Sequence, residues 1–301
     1  MHQLKNHNQM KYKSLIICLI CAFSFCNAQE LNTSLLNSKN QPYLVGEINK
    51  EGLTSNDFNA WFSKNHDAYS LNVKSINQLK PLLKNCTIKA FMGTWCGDSK
   101  KEVPRFYKVL EACNFPIDQL QMIAVSREKG LYKQSPNHEE KGLNIHRVPT
   151  FIIYKNAIEV NRIVEHPKVT IEDDLLNIVT VNNYEANYPI VSKVDKILKN
   201  DGLKVSKRNR KQLIKSYKNS TATYSHLNTY AYILFGTNRQ KEALEVSILN
   251  TKLFPKNSRI QQNLANKYLV LGKKNRAKKH FKKALKLDPE NKVVTKMLKT
   301  L

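Results

Sequence analysis

Apolar positions recur along this chain with two different periods, and the change from one to the other divides it. Thr87 to Met92 and Leu120 to Val125 are short, nearly unbroken apolar runs, which predict buried strands. Phe151 to Tyr154 and Ile158 to Val164 predict a hairpin pair around Lys155-Asn156-Ala157. Between these runs the spacing is helical. Ile76, Leu79, Leu82 and Leu83 share one face of Ser75 to Leu83. Val103, Phe106, Val109 and Leu110 do the same in Asp98 to Cys113. Ser55-Asn56-Asp57 ahead of Phe58, Trp61 and Phe62 predicts a capped helix. Thr170 to Val179 predicts a helix whose acidic first turn, Glu172-Asp173-Asp174, suits its dipole. Tyr43 to Ile48 reads as a short strand, and Glu30 to Gln41 as a polar lead without an element. Strands alternating with helices predict an α/β domain, a mixed sheet flanked by helices. From Pro189 onward only the helical period remains, which predicts an all-α domain of helical hairpins.

Charge follows the same division. The 301 residues carry a formal net charge of +25. Val191 to Leu301 holds 27 Lys and Arg against 6 Asp and Glu, whereas residues 29 to 190 hold 19 against 18. Such a basic half attracts anions at long range without specifying any of them. It fits a solvated lysine-rich helical surface, and it also fits an anionic surface or an acidic protein as partner. Only 9 Gly and 10 Pro occur, which excludes collagen-like and low-complexity classes. A mean hydropathy of −0.49 excludes a multi-span membrane protein.

The N-terminus predicts export. Lys11 and Lys13 precede the apolar run Leu15 to Phe25, and Cys26-Asn27-Ala28 leads into polar Gln29. This is the signal-peptide pattern, with cleavage expected after Ala28 and a periplasmic or secreted destination. The run is too short to span a bilayer. Lipid anchoring fits less well, because bulky Ile17, Ile20 and Phe25 precede Cys18, Cys21 and Cys26. An exported chain does not meet nucleic acid, so that partner is not expected. The segments then divide as 1–28 signal peptide, 43–181 α/β domain, 190–223 helical extension, 224–291 two helical repeats and 292–301 capping helix.

Chemistry concentrates where Phe91-Met92-Gly93-Thr94-Trp95-Cys96-Gly97-Asp98-Ser99 leaves a strand and opens a helix. A thiol at a helix N-terminus meets unpaired backbone N–H groups and the positive end of the peptide dipoles, the setting in which cysteines act as nucleophiles. The segment Phe91 to Phe106 resembles the active-site strand, turn and helix of the thioredoxin superfamily, nearest to its exported thiol–disulfide members with their WCxxC and KKExP pattern. Arg147 to Glu165 resembles that family's second hallmark, a cis-proline before a strand, with Pro149 in that place. The resemblance covers roughly Tyr43 to Val181. It implies Cys96, Ser99 and Pro149 as the reactive constellation, supported by Trp95, Gly97, Asp98, Val148 and Thr150.

The chain departs from the family at two places. Ser99 stands where a second active-site cysteine would resolve a mixed disulfide. It can hydrogen-bond the Cys96 sulfur but cannot resolve the intermediate. Ala90 stands where thioredoxin has a buried Asp. No other thiol replaces the missing one. Cys113 lies about 25 Å along the helix from Cys96, and Cys86 about 30 Å along the strand. Both reach the opposite pole of the domain. A Cys86–Cys113 bridge and two inert core thiols are both compatible with that placement. His146 and Arg147 either border the thiol or serve the packing around it. No CxxC and no paired His/Cys spacing occurs, so neither a metal site nor a cofactor is expected.

The helical half repeats itself. Ala231 and Ala265, Ala243 and Ala277, Pro255 and Pro289, and Asn257 and Asn291 are each separated by 34 residues. Tyr224 to Asn257 and Ser258 to Asn291 resemble tetratricopeptide repeats, the second more closely, since the first carries Asn250 where a small Ala is usual. The resemblance implies a protein or peptide partner on a concave face formed by Asn228, Tyr232, Arg259, Gln262 and Asn266.

Two functions compete at this stage. One is a monothiol protein acting on protein disulfides or oxidised thiols through Cys96, with the repeats binding a protein. The other is a redox-silent scaffold whose repeats and basic surface recruit an acidic partner at the cell envelope.

Overall fold

The computed structural model describes residues 30–55, 57–180, 183–202, 207–217, 220 and 222–301. The export segment expected at 1–28 and the capping residue Asn56 lie outside them. Seven strands occur among the described residues: β1 (Ser34–Leu36), β2 (Pro42–Leu44), β3 (Gly46–Ile48), β4 (Thr87–Met92), β5 (Leu120–Ala124), β6 (Thr150–Lys155) and β7 (Ile158–Val164). The last five form one mixed sheet in the order β3-β5-β4-β6-β7, in which only β4 and β5 run parallel. Ala90 stands between Met122 on one side and Phe151 on the other. Strand side chains alternate between faces. Ala90, Met92, Met122, Phe151 and Ile153 therefore share one core, while Phe91, Ile123 and Ile152 share the other.

The first face is covered by helices: α1 (Lys50–Leu53), α2 (Asn59–Asp67), α3 (Val73–Leu83), α4 (Gly97–Ala112) and α5 (Ile171–Thr180). Phe62, Leu79, Phe106 and Leu175 are their buried anchors. The Phe106 ring stacks on Phe151 at 4.0 Å between centroids, fixing α4 across β6. The second face is covered by the long segment between β5 and β6 through Ile145 and Val148.

Two local expectations need correction. The lead is not without structure: β1 pairs antiparallel with β2. The Asn37 side chain closes that hairpin, its Oδ1 accepting from the Lys39 and Gln41 N–H groups. Three exposed residues carry no periodic signal, so pairing and turn chemistry decide. Nor do Ser55 and Asp57 cap α2. That helix starts after Phe58, with no side-chain cap bond. By contrast α3 begins two residues before its predicted start, because the Asn72 carboxamide accepts from Ser75 N–H.

From Pro189 onward every element among the described residues is a helix: α6 (Pro189–Asp201), α7 (Lys207–Tyr217), α8 (Tyr224–Gly236), α9 (Gln240–Leu253), α10 (Ser258–Val270), α11 (Lys274–Leu287) and α12 (Lys292–Lys299). Ala231, Ala243, Ala265 and Ala277 are fully buried, and their small side chains let paired helices approach closely. Asn250 is also buried, and its amide donates to the Tyr224 carbonyl at 2.9 Å, so the departure from alanine gains a bond across the pair. The recurring Asn257 and Asn291 are caps: each Oδ1 accepts from the N–H three residues on, Ile260 and Val294. Replacing Asn257 with alanine should cost about 1 kcal/mol in a urea titration; an unchanged midpoint would contradict the capping role.

Leu31 to Leu301 forms one compact unit. Within it the sheet and the helical hairpins keep separate hydrophobic clusters. They meet through polar and aromatic contacts. Lys199 Nζ donates to the Gly142 carbonyl, and Gln134 Nε2 donates to that of Gly236. The His146 ring lies edge-on to Tyr188 and Tyr230.

Candidate functional site

Strand β4 ends at Met92, and the chain turns through Gly93 and Thr94 into α4. Gly93 is required there, since a Cβ on it would stand 2.6 Å from the Trp95 ring. Thr94 Oγ1 accepts from Leu44 N–H at 3.1 Å, and Trp95 Nε1 donates to the Val125 carbonyl at 2.9 Å. These two bonds pin the turn to β2 and to the end of β5. Cys96 is then the N-cap residue of α4, half-buried, with an extended backbone. A Cβ built on Gly97 would meet nothing within 4 Å, so the space beside the thiol is open on that side. Asp98 is exposed next to it.

The thiol faces the loop before β6. Its Sγ donates to the Val148 carbonyl at 3.3 Å, immediately before the cis Val148–Pro149 peptide. Val148, Pro149 and Thr150 are buried, and Thr150 Oγ1 donates to the Arg147 carbonyl at 2.8 Å. Arg147 pairs with Glu165 at 2.9 Å and lies over the Tyr188 ring. Cys96, Trp95, Gly97, Val148, Pro149 and Thr150 thus converge on one place.

Ser99 does not join the thiol. It is fully buried, and its Oγ accepts from the Gly93 N–H at 3.2 Å. Its hydroxyl holds the turn instead of the Cys96 sulfur, because one helical turn onward it points back under β4. The Cys86–Cys113 bridge is not formed either: both thiols are free and buried. Cys86 Sγ points to the Leu82 carbonyl at 3.8 Å, while Cys113 caps the end of α4. Burial pushes the Cys86 thiol up and that of Cys113 up to about 11. Both therefore stay protonated and unreactive near neutral pH.

The loop after β5 contributes residues that no periodicity announces. The Tyr132 ring lies against Trp95 at 5.3 Å and against Tyr232 of α8 at 5.8 Å. Lys133 is 4% exposed and donates to the His146 carbonyl at 2.7 Å. Burial, then the charge of Arg147, push its pKa down to about 8, and the nearby Cys96 opposes that shift. His146 itself is buried. Its Nδ1 pairs with the Asn144 carbonyl, and among the described residues its Nε2 has no partner. Burial pushes its pKa down to about 3. The residue serves packing at the seam.

On the helical side, Asn228, Tyr232 and Asn266 line one groove together. Arg259 and Gln262 are engaged elsewhere: Arg259 Nη1 donates to the Tyr224 hydroxyl, and Gln262 Oε1 accepts from Asn291. The groove also takes in Asn263 and Lys267. Lys267 had a sequence signal, a lysine on the face that also carries Ile260, Leu264 and Tyr268.

The α10–α11 hairpin has the close helix approach, the buried alanines and the capping asparagines of a recurring unit. It is a tetratricopeptide repeat. The family model of that name matches residues 258–291. Repeats of this kind bind other proteins, which makes a protein partner the supported expectation for this half. No curated protein matches the chain. Among the described residues, no group of three His, Cys, Asp or Glu side chains is placed to hold a metal ion. No described helix is long and apolar enough to cross a membrane.

Proposed function

We propose that this chain is an exported, thioredoxin-like protein that acts on protein disulfides through Cys96 alone, with the tetratricopeptide half binding its protein partner. One observation carries the reading: the half-buried thiol of the N-cap residue of α4 donates to the carbonyl before Pro149 at 3.3 Å. The order of strands around it and the resemblance of Phe91 to Phe106 and Arg147 to Glu165 support it. Export rests on the pattern of residues 11–28.

In the proposed reaction the Cys96 thiolate attacks one sulfur of a substrate disulfide. A bond to Cys96 forms, the substrate S–S bond breaks, and the other substrate sulfur leaves as a thiolate. An external thiol then attacks the Cys96 sulfur, and the second substrate sulfur leaves. A second external thiol frees Cys96. Two external thiols become one disulfide while the substrate disulfide becomes two thiols. Ser99 takes no part in this cycle, so the mixed disulfide waits for the external thiol.

That waiting state gives a test. Incubated with a cystine-bridged peptide and no added thiol, the wild-type chain should accumulate the mixed disulfide. Ser99→Cys should release the peptide in a second step, its introduced thiol ending in an intrachain disulfide with Cys96. Mass spectrometry of both products checks this. Equal accumulation in the two proteins would contradict the role given to Ser99.

A further inference from the structure

A groove of about 570 Å³ runs between the loop after β5 and helices α8 and α10. It is built by both halves of the chain. The loop supplies Lys129, Tyr132 and Gln134, and the helices supply Tyr232, Asn263 and Lys267. Its volume falls in the range of specific ligand pockets. None of the residues lining it is acidic.

Lys267 is the unusual member. It is 8% exposed, on the buried stripe of α10. Among the described residues no oxygen accepts a hydrogen bond from its ammonium and no carboxylate pairs with it; the ammonium lies 5.9 Å from the centre of the Phe235 ring. A largely buried lysine without a counter-charge is costly, and a carboxylate supplied by a ligand offsets that cost. Burial already pushes the Lys267 pKa down to about 8. Around it the walls offer what a peptide needs. Asn266 presents an exposed carboxamide, Asn263 Nδ2 donates to Asn228 Oδ1 at 2.8 Å on the same wall, and Tyr232 and Val270 are 47% and 73% exposed. The Trp95–Tyr132–Tyr232 ring contacts lead without a break from the residue beside Cys96 into this groove.

We propose that the groove binds an extended acidic polypeptide segment, with one carboxylate on Lys267 and an apolar neighbour against Tyr132 and Tyr232. The segment belongs to the protein whose disulfide Cys96 attacks, a clause that rests on the function proposed above. Peptide binding at the groove stands without it.

The test uses the full chain carrying Cys96→Ser, so that binding is read apart from thiol chemistry. The probes are two fluorescein-labelled peptides blocked at both ends, Ala-Phe-Ala-Glu-Ala-Phe-Ala and the same peptide with Gln in place of Glu. Fluorescence anisotropy should give roughly tenfold or more tighter binding for the Glu peptide, the effect of one charge-assisted bond. Lys267→Met should erase that preference, and Tyr232→Ala should weaken both peptides. Three results would overturn the proposal: no binding of the Glu peptide up to about 1 mM, equal binding of the two peptides, or a preference that survives Lys267→Met. Displacement by inorganic phosphate as effective as by unlabelled Glu peptide would also overturn it, in favour of a general anion site. Failure here leaves Cys96 chemistry untouched. Peptide binding here, together with no adduct on Cys96 when the wild-type chain meets the cystine-bridged peptide, would keep the peptide site and end the redox reading.

Discussion

Cys96→Ser should lower the rate of disulfide exchange with a cystine-bridged peptide by roughly a thousandfold or more, to the uncatalysed background. That corresponds to about 4 kcal/mol of transition-state stabilisation. Serine keeps the size and the hydrogen bond to the Val148 carbonyl, so the fold should be unaffected. Cys86 and Cys113 cannot substitute, since both are buried and protonated near neutral pH. The check is a stopped-flow comparison of the two proteins, with thermal unfolding as the control. A variant with wild-type exchange would remove the proposed enzymatic role while leaving the repeats in place.

Acid should unfold this protein through His146. The imidazole is 3% exposed, wedged between Tyr188 and Tyr230, and among the described residues nothing pairs with its Nε2. Burial is the main cause of its depressed pKa, about 3, and the cations of Lys133, Arg147 and Arg162 push in the same direction. Above pH 6.5 the ring is neutral in both the folded and the unfolded chain. Below that pH only the unfolded chain takes up the proton, so stability falls as pH drops toward about 3. The loss across that window is on the order of 5 kcal/mol. His280, pushed down to about 4 by burial, adds a smaller loss in the same window because it is only half-buried. His146→Gln should start less stable at pH 7, from lost ring packing, but its stability should fall much less with acid. Urea unfolding at a series of pH values separates the two effects. Parallel curves for the two proteins would rule out His146 as the acid-sensitive group.

Cys96 and His146 differ in how far the sequence announces them. The thiol at the head of α4 was legible, because an apolar run, a glycine turn and an amphipathic stretch fix it locally. The strands β4 to β7 were legible for the same reason, and so were the helical hairpins, whose 34-residue recurrence of alanine and asparagine reports close packing and capping. What local pattern missed is the segment between β5 and β6. Tyr132 and Lys133 carry no period there, and His146 is legible only as a residue that borders the thiol or serves the packing around it. Their roles come from partners far along the chain, such as Tyr188, Tyr230 and Tyr232. The β1–β2 hairpin was missed because three exposed residues signal nothing until a side chain such as Asn37 closes the turn. Ser99 is expected from the motif beside the Cys96 sulfur, and its bond to Gly93 instead depends on a rotamer that spacing cannot specify.

The groove was half legible. Asn228, Tyr232 and Asn266 fell into it from the repeat register alone. Arg259 and Gln262 did not, since a neighbouring helix and Tyr224 take up their hydrogen bonds. The loop wall was invisible, because it comes from the other half of the chain.

The most direct measurement is to map the thiols by mass after reaction with the cystine-bridged peptide in the absence of reductant. The account predicts one peptide per chain, on Cys96, with Cys86 and Cys113 unmodified until the protein is denatured. An unmodified Cys96, or adducts appearing first on either buried thiol, would contradict it.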